Sequence, residues 1–240
     1  MRNPEFPDRP PIRRGRTRRG PARFAMLFAT ILAAACTASA PAAVAAPQVA
    51  VYPGMTLQTE NEQCSVAMTG RLGATWYAVT AGHCFEPGAQ VYTESGTPFG
   101  WFEHAVPDGD AANLGFALIH LHDNAVAGAS TGRLAIATID PNPAVGQPIC
   151  KVGARTGTTC GVIGSVAPTH LRTTVPVDHG DSGGVVYTEI RSGSAAFVGM
   201  VVGMGADFSL VEPAAHLTEL IRTRGPQGAE QFRWYVTDSR

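Results

Sequence analysis

The sequence of 240 residues predicts an all-β fold, a sandwich or barrel, closed by one C-terminal helix. Short apolar runs recur about every ten residues downstream of Ala46, a spacing typical of such folds. Valine, isoleucine, threonine and aromatic residues fill these runs, while Gly, Pro, Asn and Asp separate them. A single late segment breaks the pattern with apolar residues at helical spacing.

In chain order the first runs are CSVAMTG, ATWYAVTAG, AQVYTE, TPFGWFEHAV and GFALIHLH. After them come QPICKVG, TTCGVIGSVA, LRTTVPV, GGVVYTEI and SAAFVGMVVGM. The two groups are divided near residues 125–132, AVAGASTG, a small-residue stretch that reads as a linker. The helical segment is EPAAHLTELIRTRG, with Ala214, Leu217, Leu220 and Ile221 on one face. Pro213 stands at its start and Gly225 just past its end.

Residues 1–45 read as an export signal. Eight arginines face Glu5 and Asp8 in the first 23 residues; an uncharged apolar run and a small-residue zone follow, with a cut expected after Ala45. A membrane anchor is the weaker reading, because Pro41 and the run of alanines make a poor span. The exported part then carries ten basic and seventeen acidic residues, a net charge of −7. That excludes a basic patch and with it a nucleic-acid partner. A secreted or envelope-associated protein is expected, with no transmembrane domain once the signal is removed.

Of five cysteines, Cys36 falls in the export segment, where lipid attachment is the minority reading. Cys64, Cys84, Cys150 and Cys160 remain, and four cysteines in an exported chain suggest two disulfides with three possible connectivities. Nearest-neighbour pairing closes short loops, each contributing about 3 kcal/mol in the chain-entropy account. His120 and His122 share a strand face near Asp123 but make an incomplete metal site, so no metal is expected.

The chemistry centres on two stretches. VDHGDSGGVVY surrounds Ser182 with glycines, leaving a bare backbone that a substrate carbonyl can approach. YAVTAGHCF puts His83 just past an apolar strand and beside a cysteine, and histidine is the usual base for a serine nucleophile. Together TAGHC and GDSGG form the paired signature of the chymotrypsin-like serine proteases. CSVAMTGRLGATWYAVTAGHC, CKVGARTGTTCGVIGSV and the closing VEPAAHLTELIRTRG resemble the streptogrisin and α-lytic branch of bacterial secreted proteases, across residues 60–225.

The resemblance implies two packed six-stranded β-barrels with the site in the cleft between them. Residues 46–130 would form the first barrel, 131–225 the second with its closing helix, and 226–240 a tail. It implies that Ser182 attacks the scissile carbonyl and His83 takes its proton. The N–H groups of Gly180 and Ser182 would form the oxyanion hole. Asp181 would be a buried acid paired with Lys151, and the disulfides would be Cys64–Cys84 and Cys150–Cys160. His179, Val202, Gly203 and Met204 would border the substrate pocket. A monomer acting on peptide or protein substrates without a cofactor is expected.

Two departures bear on activity. The family's triad acid falls on Gly115, which has no carboxylate. Asp110 and Asp108 lie five and seven residues upstream, about 15 Å or more away along an extended chain. Asp110 is the candidate for folding back, Asn113 a weaker orienter, and DGDAAN otherwise reads as a polar turn. Val202 replaces the serine that would bond the acid, and Met204 replaces a glycine and should narrow the pocket. The expectation is a serine endopeptidase of low activity that Gly115→Asp with Val202→Ser would restore. The alternative is a non-catalytic homologue binding peptide or protein in the cleft.

Overall fold

The computed structural model describes residues 47–110, 113–132 and 134–237. The expected export segment, with Cys36 and the cut after Ala45, lies outside the described residues. No described helix is long and apolar enough to cross a membrane.

The N-terminal half is a curved sheet, a half-barrel. Strands Met68–Leu72, Thr75–Ala81, Phe116–Leu121, Pro98–Val106, Gln90–Tyr92, Thr56–Gln58 and Gln63–Ser65 lie side by side in that order. The C-terminal half closes into a six-stranded barrel. Its order is Ser194–Met204, Val185–Arg191, Pro148–Gly153, Gly157–Val166, Leu171–Thr173 and Ser209–Pro213, and the last strand pairs back onto the first.

In SAAFVGMVVGM the run Ala195–Val202 is apolar throughout because it is buried on both faces. Val198 and Val201 join Ile149, Ile163, Val186 and Val211 inside the barrel. Phe197, Met200 and Val202 join a second cluster that runs through the N-terminal half and takes in Leu217 and Ile221 of the helix. This eleven-residue strand is therefore the seam between the halves. Burying both faces removes the polar alternation that a half-exposed strand shows.

The helix spans Ala214–Arg224 and buries Ala214, Leu217 and Ile221, with Leu220 partly buried against the same core. Arg222 and Arg224 sit in its last turn, where the helix dipole favours cations, and the N–H of Gly225 closes it on the Ile221 carbonyl at 2.9 Å.

Two segments that carry no strand signal pair nonetheless. In the linker stretch, Ala125–Ala127 runs parallel to Val49–Val51, and Ser130–Thr131 pairs with Leu134–Ile139. The tail returns to the N-terminal half: Arg233–Trp234 adds an edge strand to Met68–Leu72, and Phe232 is fully buried there. The Trp234 indole donates to Thr218 Oγ1 at 2.7 Å and the Thr237 N–H to the Ile136 carbonyl at 2.8 Å. The tail thus straps the N-terminal sheet, the helix and strand Leu134–Ile139 together.

Candidate active site

His83 is delivered by strand Thr75–Ala81, which runs into the short 3₁₀ turn Gly82–Cys84. Buried Cys84 anchors that turn through its disulfide to Cys64, with Cα atoms 6.4 Å apart. The imidazole is 42% exposed, while the carboxylate beside it is 11% exposed.

That carboxylate belongs to Asp108. Its Oδ2 meets His83 Nδ1 and also accepts the His83 backbone N–H at 2.9 Å. Its Oδ1 accepts the Gly115 N–H at 2.7 Å. Asp110, the residue expected to fold back, instead closes the loop: the Asn113 N–H reaches its carbonyl and the Asn113 amide its Oδ1, both at 2.9 Å. The Gly109 N–H completes the reversal on the Asn113 carbonyl at 2.8 Å. The extended-chain estimate fails because the segment turns back on itself, so its two ends, Asp108 and Gly115, are hydrogen-bonded neighbours.

Gly115 therefore corrects the expectation of a missing acid. A Cβ at Gly115 would strike the carbonyls of Val106 and Pro107, and one at Gly82 would strike the Val106 carbonyl and the Asp108 backbone. Both positions must be bare for Asp108 to come in, so an aspartate at 115 would displace the acid already present. Val202 is buried and gives Asp108 no bond; the described donors to that carboxylate are His83 and Gly115.

The Ser182 loop is held from beneath. Asp181 is fully buried and 3.1 Å from fully buried Lys151 Nζ. Its Oδ1 accepts the N–H groups of Arg155 and Thr156, each at 3.0 Å. Its Oδ2 accepts the Thr156 hydroxyl at 2.7 Å and the Asp178 N–H at 3.0 Å. Burial pushes the Asp181 carboxyl up, but the bonds from Thr156, Asp178 and Lys151 outweigh it and hold the group below its ordinary value, hence ionised. Lys151 also donates to the Gly157 carbonyl at 2.8 Å and to the Thr156 hydroxyl. The second disulfide, Cys150–Cys160, with Cα atoms 4.0 Å apart, staples the hairpin that carries Lys151.

From the other half, buried Ser65 clamps the same loop. Its N–H donates to the Ser182 carbonyl at 2.7 Å and its hydroxyl to the Gly180 carbonyl at 2.9 Å. Gly180 lies at φ +102°, a backbone region reserved for glycine. Among the described residues, neither the Gly180 nor the Ser182 N–H is engaged in an internal hydrogen bond.

Ser182, His83 and His179 line two adjoining cavities. One, of about 390 Å³, is bordered by Asn61, Glu62, Gln63 and Gly180. The other, of about 310 Å³, is bordered by Val177, Asp178, Val202, Gly203 and Met204. A larger cavity of about 520 Å³ lies elsewhere, by Tyr52, Met55 and Thr93, and has neither histidine nor cysteine in its lining. His120 and His122 take other partners, Glu103 at 2.6 Å and Gln90 at 3.2 Å.

Sequence reasoning missed Ser65 and Glu212. Ser65 carries no signal beyond following Cys64. Glu212, just before the helix, is fully buried: one oxygen is 2.9 Å from His216 Nδ1, and Oε2 has no hydrogen-bond partner among the described residues. Burial pushes its carboxyl up to about 7; His216 pulls it back, and the charge of Asp108 adds to the rise.

No protein-family profile matches the chain. It is 31% identical over 189 residues to the uncharacterized protein MT1863 of Mycobacterium tuberculosis strain CDC 1551, covering 72% of this chain and 82% of that one. To the uncharacterized protein Rv1815 of strain H37Rv it is 30% identical with the same coverage. Among solved structures, Thermobifida fusca protease A superposes with TM-score 0.62 at 22% identity, over 79% of this chain and all of that one. A glutamic acid-specific serine protease, which utilizes a histidine triad in substrate binding, superposes with TM-score 0.58 at 25% identity, over 73% of this chain and 98% of that one.

Proposed function

We propose that the chain, which shares the fold of bacterial chymotrypsin-like serine proteases, is a member of their streptogrisin and α-lytic branch and an exported serine endopeptidase working through Ser182, His83 and Asp108. The observation that carries this reading is the Asp108 carboxylate on His83 Nδ1, which supplies the triad's third group.

In this mechanism Ser182 Oγ adds to the carbonyl carbon of the scissile bond as its proton passes to His83 Nε2. Asp108 holds the ring with its δ-nitrogen protonated and offsets the imidazolium charge. The oxygen that becomes negative is received by the N–H groups of Gly180 and Ser182, which are kept in place by Ser65 and by the Asp181 network. His83 then gives the proton to the leaving amine. Water repeats the sequence on the acyl-enzyme and releases the carboxylic acid.

The binding-only alternative rested on Gly115, Val202 and Met204; the Asp108 carboxylate beside His83 weighs against the first of these. The test is labelling of the chain lacking residues 1–45 by a fluorophosphonate. Ser182→Ala abolishes labelling, and Asp108→Asn lowers peptide turnover by about 10⁴-fold. Asp110→Asn stays within a few-fold of the parent. An Asp108→Asn protein as active as the parent removes Asp108 from the mechanism, and an unlabelled parent restores the binding reading.

A further inference from the structure

The cavity of about 520 Å³ beside Tyr52 shares no residue with the two at Ser182, and it has a size that takes a ligand. Its wall comes from both halves: Ala50 to Thr56 and Thr93 to Ser95 on one side, Gly153 and Ala154 on the other.

Two independent features of that wall describe what would fill it. The first is charge. Among the described residues of the wall none is basic, and Glu94 carries the one acid. Glu94 sits on a turn that its neighbours hold: the Thr93 N–H donates to the Thr97 carbonyl at 2.9 Å, the Thr97 N–H to Thr93 Oγ1 at 3.1 Å, and the Thr93 and Ser95 hydroxyls are 2.9 Å apart. Tyr52 offers an exposed ring, fixed at its base by the Met55 N–H on its carbonyl at 3.2 Å. A ring face and a carboxylate with no cation of their own attract a basic side chain. Arg155, next to Ala154, does not supply one, since it lies 3.6 Å from Asp178, which borders a Ser182 cavity.

The second feature is a free strand edge. Strand Val49–Val51 pairs only with Ala125–Ala127. The Val49 N–H donates to the Asn124 carbonyl at 2.9 Å, and the Val51 carbonyl accepts the Gly128 N–H at 2.7 Å. In a parallel ladder alternate residues face opposite ways, so the N–H and carbonyl of Ala50 face the unpaired edge. Ala50 is exposed and borders the cavity.

We infer that this cavity is a second polypeptide-binding site, taking an extended segment that pairs with Ala50 and places a basic side chain between Tyr52 and Glu94. Backbone pairing supplies the hold and the cation the selectivity. The net charge of −7 downstream of residue 45 draws such a segment in. The floor of the site belongs to the Ser182 loop's support. The Ala154 N–H donates to Ser65 Oγ at 2.8 Å, and a Cβ on Gly153 would strike Asp181. A basic polypeptide held here is therefore tethered beside that loop. Binding needs no reaction at Ser182, so it stands apart from the protease reading.

The experiment uses the chain lacking residues 1–45, since a compact unit begins at Ala45, with Ser182→Ala to prevent cleavage. Calorimetry follows the capped peptide Ac-Thr-Val-Arg-Val-Thr-NH2 and its citrulline counterpart. The arginine peptide binds one to one, and the uncharged citrulline peptide roughly tenfold more weakly. Tyr52→Ala and Glu94→Gln each weaken binding about three- to fivefold, the scale of one cation–π contact or one exposed ion pair, and together by roughly tenfold. Glu189→Gln, outside the cavity, leaves it unchanged. N-methylation of alternate backbone N–H groups of the peptide, in one register of the two, removes binding. No saturable binding, equal affinity for citrulline, or full affinity in the Tyr52→Ala/Glu94→Gln protein overturns the site. Binding that survives N-methylation in both registers overturns the strand pairing.

Discussion

Replacing Glu212 with Gln should make the protein more stable in mild base while leaving its acid behaviour nearly as it was. Glu212 is fully buried on the strand that enters the helix, with one oxygen bonded to His216 and the other unpartnered. Below its unfolded value the carboxyl is protonated in both the folded and unfolded chains, so it exerts no pH-dependent penalty. Above that value the unfolded chain ionises first, and folding must keep the proton or bury the charge. The penalty is complete once the pH has passed the folded value, about 7 against the ordinary 4.5. At about 1.4 kcal/mol per pH unit, this amounts to about 3 kcal/mol. Urea unfolding of parent and Glu212→Gln at pH 4.5, 6 and 8 reads it directly, because the other titrating groups are shared and cancel in the difference. The stability difference should move by about 3 kcal/mol in favour of the variant from pH 4.5 to pH 8. A constant offset across that range refutes the reasoning, since it means Glu212 has the same protonation in the folded and unfolded chains.

Gly115→Ala should slow Ser182 labelling by more than tenfold, because its Cβ meets backbone carbonyls that cannot give way and shifts the N–H that Asp108 accepts; an unchanged labelling rate would show that the loop tolerates it. Lys151→Met should cost about 3–5 kcal/mol in chemical denaturation, since it leaves the buried Asp181 charge without its cation. Mild destabilisation, under about 1 kcal/mol, would mean that the four other donors to Asp181 suffice.

Much of the site was legible because its chemistry is local. TAGHC and GDSGG each hold a reactive side chain together with the glycines and cysteine that shape its turn, and these are adjacent in the chain. The pairing of Lys151 with Asp181 and the two disulfides were legible through the resemblance of whole loops. The acid was not. Asp108 is recognised as the partner of His83 only if the segment after it returns on itself, and DGDAAN reads equally well as a plain polar turn. Glu212 was invisible for a related reason: an acidic residue before a helix is ordinarily exposed, and nothing in its neighbours announces that the seam between the halves covers it.

The sequence by itself determined the β architecture, the closing helix, the serine and the histidine, because apolar periodicity and turn chemistry act over a few residues and are written there. Only the tertiary structure decided which carboxylate lies against His83, that Ser65 reaches across to hold the Ser182 loop, and that the tail becomes an edge strand. Each of these is a contact between segments far apart in the chain or separated by a reversal. Its energy depends on how the two β halves pack, and local propensity carries no record of that packing.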